Sequence, residues 1–114
     1  MESEQNRMIS VDLAEDEWSA MMLESDVEGD SLSAAALADL LSAAPHPGGI
    51  ARWFTCSVAV ARELLPWCEA AASRWVVDDP EGAAVLERAA KNVRFALWRV
   101  GEGPPPESTR YRAG

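Results

Sequence analysis

A chain of 114 residues, 48% hydrophobic and 25% charged with a net charge of −9, fits one domain around one modest core. No uncharged apolar run approaches the roughly 18–20 residues of a membrane span, and the acidic, polar stretch Met1 to Arg7 has no signal-peptide character. The negative balance argues against direct nucleic-acid binding, which draws on Lys and Arg. Cys56 and Cys68 form no disulfide framework, so the expectation is a cytoplasmic protein with reduced thiols.

The charge is divided along the chain. Residues 1–51 hold 11 acidic side chains against the single base Arg7, whereas residues 52–114 hold 8 acidic against 9 basic. The front is strongly acidic and the back nearly neutral.

Residues 1–9 read as a flexible lead, residues 10–101 as a single helical domain, and residues 102–114 as an extended or disordered tail rich in proline. A first helix is expected from about Asp12 to Glu24. Asp12 and Glu15 have the spacing of a capping box, and Ala14, Trp18, Met21 and Met22 form a helical stripe. Residues 25–31 read as a loop. A second helix over 33–44 is marked by Ser33 as N-cap and by Leu32 and Leu37 at the spacing of a hydrophobic staple. Leu37, Leu40, Leu41 and Ala44 form its stripe. The breakers Pro45-His46-Pro47-Gly48-Gly49 follow as a hinge.

From Ile50 to Val77 the pattern stays helical around Pro66. It allows one kinked helix, or a helix 50–64 followed by a helix 66–77, and the proline favours the break. Asp79-Pro80-Glu81 is a strong helix start, and Leu86, Ala89, Ala90, Val93, Leu97 and Val100 repeat at helical spacing up to Gly101. No stretch alternates in the way a half-buried strand would, and the expected fold is all-α: a compact bundle of four or five short helices.

Chemistry finds little to assemble. The carboxylates cluster at helix starts and in loops, where water screens them. Two cysteines with eleven residues between them and the lone His46 make no zinc pattern, and there are no Glu-x-x-His pairs for a di-iron site. Cys56 and Cys68 lie on apolar faces, where a thiol behaves as a small hydrophobe. Gly48-Gly49 lacks the spacing of a phosphate loop. No catalytic, metal or cofactor site is expected, and an enzyme is disfavoured.

Five tryptophans are the unusual enrichment. Trp53, Trp75 and Trp18 suit a core. Trp67 and Trp98 sit beside the main stripes and stand equally as core or interface residues. The acidic front has three readings: a solvated surface, a site for an electropositive protein partner, or a face that docks on Arg52, Arg62, Arg74, Arg88 or Arg99 of the same or another chain.

Arg62-Glu63-Leu64-Leu65-Pro66-Trp67-Cys68 and Arg74-Trp75-Val76-Val77-Asp78-Asp79-Pro80-Glu81, with the Ala-rich helix behind them, resemble an uncharacterised family of helical domains from GC-rich bacteria. The nine arginines against one lysine, with twenty alanines, agree with such an origin. The resemblance covers residues 62–98 and implies a helical fold without an activity. The function expected is a non-enzymatic protein–protein interaction module, an adaptor or accessory protein of a bacterial system. Trp67 and Trp98 serve as its anchors, and Asp26, Glu28 and Asp30 provide charge steering. The alternative is a small acidic inhibitor or immunity protein that blocks a basic site on a toxin or nucleic-acid-binding protein. The partner is a protein, a second copy of the chain included, and not a membrane.

Overall fold

The computed structural model describes residues 7–28, 32–45 and 51–103. Their element order is β1 (Met8–Ala14), α1 (Glu15–Glu28), α2 (Ala34–Leu41), β2 (Ala44–Pro45), β3 (Ala51–Ser57), α3 (Val58–Trp75) and α4 (Pro80–Arg99). The strands form an antiparallel sheet in the order β1-β3-β2. The fold is therefore mixed α and β, and the all-α bundle expected from the sequence is overturned by this sheet.

Two segments account for the correction. In Met8–Ala14, Ile9, Val11 and Leu13 point into the core while Met8, Ser10 and Asp12 face out. This is period-two burial with β-branched residues at two of its three inward positions. Asp12 belongs to that strand, so the expected capping box with Glu15 does not form. The helix begins at Glu15, and it is Glu17 that reaches back, accepting the Ala14 N–H at 2.7 Å. In Ala51–Ser57, Phe54 and Cys56 point inward opposite Val11 and Ile9. The outward Trp53 hid the alternation, because its apolar side chain reads as part of a helical stripe.

The break expected at Pro66 is also absent, since α3 runs through it from Val58 to Trp75. Proline inside a helix costs about 3 kcal/mol through a lost hydrogen bond and a clash. Here it lies on the exposed face, as does Arg62, whose carbonyl loses its partner to solvent. The buried face of α3, with Leu64, Trp67, Cys68, Ala71 and Ala72, continues across the proline, and burial of one large apolar side chain is worth about 1.5–3 kcal/mol. Packing on both sides outweighs the defect.

Other expected signals act as read. Ser33 caps α2, its Oγ accepting the Ala36 N–H at 3.1 Å, and Glu63 of α3 fastens the cap by accepting from Ser33 N and Oγ. Asp79 caps α4 through the Gly82 N–H at 2.9 Å, with Pro80 in the first turn. The helix ends with Gly101 at φ 78°, where the Gly101 and Glu102 N–H groups return to the Trp98 and Leu97 carbonyls. Residues 46–49 of the hinge, Ile50 after them, most of the lead and the tail from 104 on lie outside the described residues, although Pro45 of the hinge is in β2 and Met8 and Ile9 of the expected lead are in β1.

One core joins the elements. The inward face of the sheet meets Val58, Ala61, Leu64 and Cys68 of α3, Leu86, Ala89, Ala90 and Val93 of α4, Met21 of α1, and Ala36 and Leu40 of α2. The long helix α4 is the hub, packed on α3, β1 and α1.

Candidate functional site

Four carboxylates of the acidic front dock on arginines of their own chain. Arg52 on β3 meets Glu15 at 2.9 Å and lies 4.1 Å from the centre of the Trp18 ring. Arg88 on α4 reaches Asp16 at 2.7 Å and Glu17 at 3.3 Å, and Asn92 donates to Glu17 at 2.6 Å. Arg74 on α3 pairs with Glu24. Of the third reading of the front, the arm within the same chain is thus present for Arg52, Arg74 and Arg88. Arg62 instead meets Glu102 at 2.8 Å, and Arg99 lies over the Phe95 ring at 5.7 Å.

Glu24 is the most enclosed charge, 2% exposed. Its carboxylate accepts from the Arg74 guanidinium and, at 2.8 Å, from the Trp75 indole N–H. Glu17, Met21 and Glu24 recur at i, i+4 and i+7 of α1, so its inward face carries two carboxylates with a methionine between them. Sequence reading missed both as structural residues. The available signal was that recurrence, in register with Trp18 and Met22.

Trp53, expected in the core, is 38% exposed on the outward face of β3, and the other four tryptophans separate into two kinds. Trp18 donates its indole N–H to the Leu40 carbonyl at 3.0 Å, and Trp75 donates to Glu24. Trp67 is 8% exposed and belongs to the core cluster. Trp98 is 37% exposed, and its N–H has no hydrogen-bond partner among the described residues. Its neighbour one helical turn back, Phe95, is 41% exposed, and the two ring centroids are 5.5 Å apart. The structure thus brings Phe95, Trp98 and Arg99 together at the end of α4, beside the outward face of β1. A cleft of about 190 Å³ opens there, lined by Ser10, Asp12, Asn92, Phe95, Ala96 and Arg99. Of the steering carboxylates, Asp26 is exposed on α1, while the Glu28 side chain and Asp30 lie outside the described residues. Phe95 was counted with neither core nor interface in the sequence, where only tryptophan stood out.

The remaining chemistry is sparse. A larger groove of about 540 Å³ between α3 and α4 is lined by mixed charges, Glu69, Glu87, Arg88, Lys91 and Arg94 among them. Arg94 pairs there with Glu69. No group of three or more metal-ligating side chains occurs among the described residues. Both cysteines are free and buried. Burial pushes each thiol from 9.0 up to about 12, with Asp39 adding to the shift at Cys56 and Glu69 at Cys68. Such thiols are held protonated and have no nucleophilic character at neutral pH. No described helix is long and apolar enough to cross a membrane. No family model, curated protein or solved structure matches the chain.

Proposed function

We propose that the chain is a non-enzymatic protein–protein interaction module, an adaptor or accessory protein, and that it engages its partner through the Phe95–Trp98–Arg99 face of α4. The observation that carries this reading is Trp98, a half-exposed indole whose N–H is unanswered among the described residues and whose ring is braced by Phe95. An aromatic with an apolar body and a free donor contributes most when a partner desolvates it, which is why tryptophan dominates interface hot spots. The adjoining cleft supplies depth, and Arg99 supplies a charged rim. The alternative of an acidic inhibitor draws on less, because Glu15, Asp16, Glu17 and Glu24 already answer arginines of the same chain.

A photo-crosslinking residue placed at position 98 in the native host tests the reading, with the same residue at the exposed position 87 as control. A discrete adduct at 98 that is absent at 87 is expected. Adducts of equal yield at both positions, or none at 98, overturn it.

A further inference from the structure

We infer a second docking surface at the other end of α4, built to take a basic amphipathic segment of a partner protein. It shares no residue with the Phe95–Trp98 face and stands or falls separately. A 20-residue helix is about 30 Å long, so the two surfaces are nearly that far apart.

The surface is a shallow cavity of about 270 Å³ lined by Leu23, Arg74, Trp75, Asp78 and Asp79, where the end of α3 and the turn into α4 meet α1. Leu23 is more than half exposed, and the turn that carries Asp78 also carries Val76, more than half exposed, and Val77, 85% exposed. Three large aliphatic side chains so placed leave apolar area that nothing in the described structure covers, next to a concavity floored by an aromatic ring. The geometry is rigid on its inner side. Trp75 is held by Glu24, and its ring lies so close to Gly82 that a Cβ there would meet Cε3 at 2.6 Å.

Charge selects the occupant. Arg74 is answered by Glu24, which leaves the carboxylates of Asp78 and Asp79 at the rim without a cation among the described residues. Among the described residues the Asp79 carboxylate is engaged only as the cap of Gly82. With the chain at −9 overall, a positive segment is drawn in at long range and a negative one repelled. A helix with Leu or Val on one face and Lys or Arg flanking it covers the aliphatic side chains and meets both aspartates.

The test uses the full chain labelled with ¹⁵N and three synthetic peptides of about eighteen residues, roughly five helical turns. One is an amphipathic helix of Leu, Ala and Lys, the second has Glu for Lys, and the third is a non-amphipathic scramble of the first. Saturable amide shifts confined to Leu23 and Arg74 to Asp79 are expected with the first peptide alone. Val77→Asp and Asp78→Lys, both at exposed positions, should each weaken that titration by roughly fivefold or more with the remaining spectrum unchanged. The inference is overturned by shifts spread evenly over the acidic surface, by shifts centred on Phe95 and Trp98, by equal binding of the Glu peptide or the scramble, or by titrations that neither substitution alters.

Discussion

At the start of α4 a tryptophan is fastened by its own chain, with the Trp75 indole N–H on Glu24 and its ring against Gly82. At the end of the same helix Trp98 is more than a third exposed, lies against the Phe95 ring and keeps its N–H free among the described residues. The residue type is the same, and the difference lies in whether the surrounding chain answers both the polar tip and the ring. Where it does, the tryptophan fastens α1, α3 and α4 together. Where it does not, the side chain is left for another molecule. On this reasoning substitutions in the Glu24–Trp75–Gly82 set should cost stability, and substitutions at Trp98 should cost binding.

The largest effect is expected from Glu24→Ala. It removes the acceptor of both Trp75 and Arg74, and denaturant unfolding should show a loss of about 2–4 kcal/mol, moderated because Arg74 can turn to water. An unchanged midpoint would mean that the buried carboxylate does not hold this end. Gly82→Ala should follow at about 1–3 kcal/mol, since the new methyl would lie 2.5 Å from the Asp79 carboxylate and 2.6 Å from the Trp75 ring. A gain in stability, as expected for alanine in an unobstructed helix, would show that the ring is free to move.

The thiols sharpen the comparison from the core side. With folded pKa values of about 12 against the ordinary 9.0, they leave stability undiminished below pH 9. As pH rises from 9 towards 12 the unfolded chain ionises first, and stability falls by about 1.4 kcal/mol per pH unit for each thiol. Urea unfolding between pH 8 and 10.5 should therefore show the natural chain losing more than a Cys56→Ala, Cys68→Ala variant, and parallel curves would contradict the burial. The smallest effect is Arg99→Gln, which removes a cation from the Phe95 ring. It should leave the unfolding midpoint in place and weaken the complex by about 0.5–1 kcal/mol by titration calorimetry.

The helical part of the fold was written in local signals that act alone: Ser33, the Asp79-Pro80 start and the Gly101 stop each need only neighbouring backbone. The sheet was harder to read because its evidence is shared between distant segments. Ile9, Val11 and Leu13 alternate, but their partners Cys56, Phe54 and Arg52 lie 39 to 47 residues away. The Asp12 to Glu15 spacing meanwhile imitated a helix start. Pro66 misled because local cost was weighed without the long buried face that spans it. At the candidate site, Trp98 was visible as a residue off the main stripe. Trp67 had the same standing until the packing of α3 placed it in the core, and Phe95 became notable only once folding set it one turn from Trp98 and away from the core.

The most direct test of the division between the two ends is the affinity of the partner captured at position 98, measured for Trp98→Ala and for Trp75→Phe. Trp98→Ala should weaken binding by about 2 kcal/mol, some thirtyfold, with stability nearly unchanged. Trp75→Phe should lower stability and leave affinity within about threefold, since a phenyl ring keeps most of the apolar volume and loses only the donor to Glu24. The reverse pattern, or equal losses of affinity from both, would contradict the account.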